Sequence, residues 1–200
     1  KSKKKITIAD FICPLREGRK IFNSDFTVWV DTIKKGRFNN MNKIFEKPKK
    51  FDLHITDKNA KINSIIILDK IKGYKWLDKN PTSQMLGRFQ PFHKGHLKLF
   101  EKALLLNGQV AIYVKSVTNI GDNPFTFSQV KKSIDTLLYK KFKYRYKVVK
   151  APNINNICYG RKVGYEINYI NLPRNIQKIS ATKIRKLLRS QGKLKKLKIN

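Results

Sequence analysis

Apolar positions along residues 84–192 fall in alternating runs of two lengths, and these alternate between strand and helix. Met85 and Leu86 make a short apolar start, followed by Leu97, Phe100 and Leu104 at helical spacing. Residues 110–114 are a β-branched run suited to a buried strand. Val130, Ile134, Leu137 and Leu138 then share one helical face, behind a capping box formed by Thr126 and Gln129. The pattern predicts further strands over 146–149 and 166–170. A last helix is expected behind an N-cap at Ser180, with Ile184, Leu187 and Leu188 buried and Gly192 as its terminator. Residues 116–123 read as a polar loop. Such alternation argues for a parallel α/β sheet.

The front of the chain has a different order. It predicts strands over 6–13, 26–30 and 51–55, a short helix over 16–22 and a closing helix over 62–71. Residues 76–83, with Asp78-Lys79-Asn80-Pro81, read as a linker. The expected organisation is a first region over 1–75, the linker, an α/β domain over 84–192 and a basic tail over 193–200.

Composition narrows the partners. The 200 residues carry 45 Lys and Arg against 13 Asp and Glu, a formal charge of +32. Of the basic residues 36 are Lys and 9 are Arg, and Asn and Ile are abundant too, as AT-rich coding produces. The charge therefore suits anionic ligands without selecting one. There is no zinc-ligand spacing, and no aromatic signature of RNA binding flanked by Gly and basic residues. Neither a metal site nor a specific nucleic acid is expected. Cys13 and Cys158 stand far apart, which suggests reduced thiols in a cytoplasmic protein. No apolar run approaches membrane-spanning length. Beginning at Lys1 rather than Met, the sequence reads as a fragment of a longer product.

The richest chemistry lies at Gly87-Arg88-Phe89-Gln90-Pro91-Phe92-His93-Lys94-Gly95-His96. A strand, a tight loop and a helix start follow one another there. A helix start offers unpaired N–H groups and positive potential to phosphate. Gly95 lets the backbone approach a ligand where a β-carbon would block it. Imidazoles at that place can donate to phosphoryl oxygens and stabilise charge that grows in a transition state.

This decapeptide resembles the HxGH signature of the nucleotidyltransferase superfamily, and its wording is most similar to archaeal nicotinamide-nucleotide adenylyltransferases. Ile179-Ser180-Ala181-Thr182-Lys183-Ile184-Arg185 is similar to the second signature, ISxTxxR, in the order the superfamily has it. The resemblance implies a Rossmann-like domain with a parallel sheet. It also implies an enzyme that transfers AMP or CMP from ATP or CTP to a phosphorylated small acceptor with release of pyrophosphate, using Mg²⁺. By the same resemblance His93 and His96 contact the α- and β-phosphate region, and Ser180, Thr182 and Arg185 cradle the β- and γ-phosphates. Gly87, Arg88 and Phe89 form the loop over the nucleotide. Tyr159, Gly160 and Arg161, with Asn153, Asn155 and Asn156 before them, are a second strip for acceptor or phosphate contact. A homo-oligomer is compatible with all of this.

Residues 6–72 resemble the C-terminal half of adenylylsulfate kinases, which are P-loop proteins. Ala9-Asp10-Phe11-Ile12-Cys13-Pro14-Leu15-Arg16 is similar to the strand and turn that carry Ser-Pro-x-Arg there. Val28-Trp29-Val30-Asp31 is similar to the next strand, and Phe45-Glu46-Lys47-Pro48 to Tyr-Glu-x-Pro. The resemblance implies a partial α/β unit, because no G-x-x-x-x-G-K-[ST] loop exists in these residues and the lid between Asp31 and Phe45 is short. Without that loop no nest holds ATP phosphates, and no kinase activity is expected from residues 1–75. Two alternatives to the transferase remain. One is a sulfate-activation protein whose kinase half carries the activity; the other is a basic module that binds nucleotide without turnover.

If the charge is largely coding bias, DNA or RNA should bind weakly and without sequence preference. Fluorescence anisotropy between about 50 and 200 mM salt should show affinity falling by orders of magnitude. Tight binding of one defined sequence at physiological salt would contradict this.

Overall fold

The computed structural model describes residues 6–158, 160–161, 164 and 166–195, in two compact units divided after Lys72. The first contains helix α1 (Arg16–Phe22), strand β1 (Val28–Val30), helix α2 (Asn39–Ile44), strand β2 (Leu53–Ile55) and helix α3 (Ala60–Lys72). β1 and β2 pair in parallel, with Val28 opposite Leu53 and Val30 opposite Ile55. Ile62 and Ile66, four apart on α3, are buried with Ile55.

The expected strand over 6–13 does not form. Its apolar residues have no ladder partner among the described residues, and Ile8 is 86% exposed. Its end is instead tied to the 45–48 segment. Arg19 donates to the carbonyls of Cys13, Pro14 and Glu46, and the Arg16 amide donates to the Glu46 carboxylate. On the neighbouring strands, the His54 ring stacks on Trp29 at 4.0 Å and meets Asp31 at 3.0 Å.

The second unit runs β3 (Ser83–Gly87), α4 (Lys94–Asn107), β4 (Val110–Lys115), α5 (Phe127–Phe142), β5 (Tyr146–Ala151), α6 (Arg174–Gln177) and α7 (Ala181–Ser190). Its three strands are all parallel in the order β3-β4-β5, so the parallel α/β sheet expected from the alternation holds, in keeping with the Rossmann-like domain that the resemblance implied. The register sets Gly87 beside Val114 and Lys115 beside Ala151, and the three strands therefore end together. Val110, Ile112 and Val114 point to one side of β4 and are buried, as the two-residue strand period requires. Phe100, Ala103 and Leu104 of α4 are buried too, as are Val130, Ile134, Leu138 and Phe142 of α5. The rings of Phe100 and Phe142 meet at 5.2 Å. The predicted capping box is present, with the Gln129 amide donating to the Thr126 hydroxyl and the Thr126 amide to the Gln129 side chain. No helix among the described residues is long and apolar enough to cross a membrane.

Three expectations change in this unit. Residues 166–170 form no strand: Ile167 is 71% exposed and Tyr169 94%, and no described strand lies beside them to pair with. On α7, Leu187 is exposed and Arg185 takes the buried place. A helix face is buried according to what covers it, and here the covering groups are polar. Finally, residues 74–82 are bound down rather than free. The wholly buried Gln109, just before β4, donates to the Leu77 carbonyl and the Thr82 hydroxyl and accepts from the Tyr74 hydroxyl. Arg145 lies 3.4 Å over the Tyr74 ring, and Ser83 already belongs to β3.

Gln109→Ala would take away the partner of half-buried polar groups on three neighbours. It should cost about 2–4 kcal/mol in urea unfolding. A loss under about 0.5 kcal/mol would show that Gln109 does not hold the strap.

Candidate functional site

The loops that leave the carboxyl ends of the parallel strands are where an open α/β sheet presents ligands. At the end of β3 the chain turns sharply. Phe89 takes a positive φ of 48° and folds its buried ring back over Gly87. A β-carbon on Gly87 would lie 2.8 Å from that ring, so glycine is needed there for packing. Phe89 and Phe92 then form a wall against the His96 ring, at 5.0 and 5.3 Å. Arg88, between Gly87 and Phe89, is exposed.

His93 is the N-cap of α4, and the two histidines cap the helix reciprocally. The Gly95 amide donates to His93 Nδ1 at 3.1 Å, and the His93 amide donates to His96 Nδ1 at 3.3 Å. Their rings stack at 3.8 Å. An Nδ1 that accepts a hydrogen bond carries no proton, so the single proton of each neutral ring sits on Nε2. Both imidazoles are thereby oriented as Nε2–H donors. The space over Gly95 belongs to His93 itself, since a β-carbon on Gly95 would come 2.9 Å from His93 Cε1. Gly95 thus admits the His93 ring, where the sequence suggested that it admits a ligand.

Burial lowers the pKa of His93. Burial, and then the neighbouring His93, push His96 from 6.5 down to about 3. Neutral histidines can approach each other and a cationic site without repulsion, and they still donate hydrogen bonds to an anion.

Arg185, the last residue of the second motif, lies buried in α7. It is 8% exposed, and its guanidinium joins three segments. Nε donates to Asp122 at 2.9 Å, Nη2 to the Thr182 hydroxyl at 3.2 Å, and Nη1 to the Gln90 carbonyl. Arg189, one turn on, donates to the other Asp122 oxygen at 2.6 Å. Burial alone would raise the Asp122 carboxyl, but Arg189 and Arg185 outweigh it and hold it below the usual carboxylate range. Gln90 completes the stitch: its side chain donates to the Phe125 carbonyl and accepts from the Phe125 amide, at 2.9 and 2.8 Å. The histidine loop, the 116–126 loop and α7 are therefore one hydrogen-bonded assembly.

Ser180 occupies the N-cap position of α7, but its hydroxyl makes no capping bond, and Thr182 is exposed beside Arg185. Of the second strip, Tyr159 lies outside the described residues. Gly160 and Arg161 are exposed, and no described contact ties Arg161 to the histidine loop. Asn155 does come near the strand ends, where its side chain accepts from Lys115 at 3.1 Å. Gln90, Asp122 and Arg189 are the residues that pattern reasoning passed over. Arg189 was signalled only by standing four residues after Arg185 on one helix face.

The His96 shift carries a sign. Folded His96 stays neutral down to about 3, whereas the unfolded residue takes its proton near 6.5. The His96 contribution to stability is therefore constant above about pH 6.5 and is lost as pH falls from there towards 3, by at most about 1.4 kcal/mol per pH unit. His96→Asn should flatten this acid slope in thermal unfolding between pH 7 and 4. An unchanged slope would mean that His96 is not held neutral.

With this geometry in view, similarity to known proteins is concentrated in the same stretch. Residues 85–130 match the cytidylyltransferase-like family. A 79-residue stretch is 34% identical to the nicotinamide-nucleotide adenylyltransferase of Thermoplasma acidophilum, covering 38% of this chain and 44% of that protein. The enzyme of the same name from Thermoplasma volcanium is 33% identical over 79 residues, with the same coverage of both chains. That from Picrophilus torridus is 31% identical over 74 residues, covering 36% of this chain and 44% of its own. The chain thus spans less than half the length of the curated relatives it matches. Family match, parallel sheet and histidine-capped helix agree, and the second unit is similar, over its histidine loop and the strand and helix that follow, to the cytidylyltransferase-like nucleotidyltransferases.

Proposed function

We propose that the second unit transfers a nucleotidyl group from a nucleoside triphosphate to a phosphorylated small acceptor. An acceptor phosphate oxygen attacks the α-phosphorus, the bond from that phosphorus to the bridging oxygen breaks, and pyrophosphate leaves. The observation that carries this reading is the reciprocal cap of α4, which leaves two stacked imidazoles neutral with Nε2–H as donor. Such preorganised donors are suited to charge that builds on phosphoryl oxygens, and no protein nucleophile is needed.

In this reading His93 and His96 are the catalytic pair. The N-terminal turn of α7, with Ser180, Thr182 and Arg185, takes the outer phosphates, and Arg88, being exposed, is available to the acceptor or the nucleotide. Among the described residues no three His, Cys, Asp or Glu side chains gather to hold a metal ion. Mg²⁺ would arrive with the triphosphate, held by phosphate oxygens and water, as suits an ion that keeps several waters. ATP and nicotinamide mononucleotide are the first pair to test, because the relatives carry that name. For the first unit we propose no kinase chemistry of its own. Its 13–16 turn and 45–48 segment spend their polar groups on one another.

The experiment is a pyrophosphate-release screen that crosses ATP and CTP with nicotinamide mononucleotide, pantetheine phosphate and choline phosphate. Release should require one matched acceptor. His93→Ala and His96→Ala should each lower kcat on the order of 10²–10³-fold while changing triphosphate affinity little, as expected for donors that act mainly in the transition state. Normal turnover by both variants would overturn the assignment.

A further inference from the structure

Asp122 raises a question that the transferase reading leaves open. Two guanidiniums one helical turn apart, Arg185 and Arg189, converge on the two oxygens of a single carboxylate at 2.9 and 2.6 Å. Arg185 is 8% exposed, so an anion can reach its Nε only by taking the place of Asp122. Yet the outer phosphates of a bound nucleotide call for this same arginine. We propose that Asp122 is a resident anion at the phosphate site, which the polyphosphate displaces when it binds. This rests on the transferase reading and names the anion it must compete with.

The resting pair has a physical reason. Two guanidiniums that are largely out of water need a counter-charge, and a buried charge left unpaired is strongly destabilising. In a chain with 13 acidic residues against 45 basic ones, Asp122 supplies it. A polyphosphate offers more charge and more oxygens to the same two forks and is the better partner when present.

The segment that carries Asp122 is suited to leaving. Asn119 and Gly121 have φ of 64° and 55°, and the turn is closed by its own bonds, Asn119 to Asn123 and Ile120 to Val117. Beyond it, Phe125 stays fastened to Gln90 by two hydrogen bonds. Val117 and Asn123 are buried and hold the ends, and the 119–122 turn between them can swing while the histidine loop keeps its shape. Displacement costs affinity in proportion to how firmly the resting pair holds.

Calorimetric titration with inorganic tripolyphosphate and with ATP, on the whole chain, tests this. Asp122→Asn keeps the shape and removes the competing charge; it should tighten both ligands about tenfold. A strut that merely holds Arg185 in place predicts the reverse, so weaker or unchanged binding in folded Asp122→Asn overturns the proposal. Should that variant fail to fold, amide exchange of the native protein decides: residues 119–122 should exchange faster with tripolyphosphate bound, and slower or unchanged exchange refutes displacement. The two readings can fail separately. Tighter tripolyphosphate binding without pyrophosphate release from any substrate pair keeps the resident anion and removes the transferase. Turnover that needs His93 but binding that ignores Asp122→Asn does the opposite.

Discussion

A guanidinium cannot leave water without acceptors, and the second unit is arranged around satisfying one. Arg185 reaches from α7 to a backbone carbonyl in the histidine loop and a carboxylate in the loop after β4. These three segments are far apart in sequence and share no strand ladder. Apolar packing supplies most of the free energy that brings α4 and α5 onto the sheet, but it is non-directional and sets no loop geometry. The loops depend on directional bonds. Arg185 and Gln90 supply them, and a change at either would be felt in both loops.

The histidine cap works by the same logic at shorter range. A helix start has amides that need acceptors, and Ser, Thr, Asp or Asn ordinarily provide them. Here two imidazoles do so, and each is thereby locked in one tautomer with the proton on Nε2. The same two bonds satisfy the cap and fix both tautomers. Burial against Phe89 and Phe92 adds the third condition, neutrality, by making the charged form of His96 costly. Gly87 and Gly95 are part of this arrangement because each leaves room for an aromatic ring.

The two units differ in how completely they bury their apolar residues. In the second, a three-stranded sheet with two packed helices buries Phe100, Leu104, Ile112, Ile134 and Leu138 fully. The first has one pair of three-residue strands, and Ile8, Ile21 and Val30 stay exposed there. Parallel strands gain most when both faces are covered. Much of the cohesion of the first unit comes instead from polar clips, such as Arg19 on three carbonyls.

What the sequence determined by itself was periodic or local. The β-branched run of β4, the helical spacing of α4 and α5, the Thr126–Gln129 box and the strand–loop–helix at 87–96 are each stated by neighbouring residues, because period and capping act within a few positions. The two histidines were legible as a pair for that reason. Tertiary structure decided the rest. Residues 6–13 and 166–170 have strand-like composition, but a strand exists only when another lies beside it. Residues 76–83 read as a linker, yet Gln109 binds Leu77 and Thr82 within them and Arg145 covers Tyr74 just before them. Leu187 and Arg185 exchanged their expected places on α7 because burial there is set by a carboxylate sixty-odd positions away on another loop. Long-range polar pairing leaves no period in a sequence, and so Asp122, Gln90 and Arg189 became visible only in the folded chain.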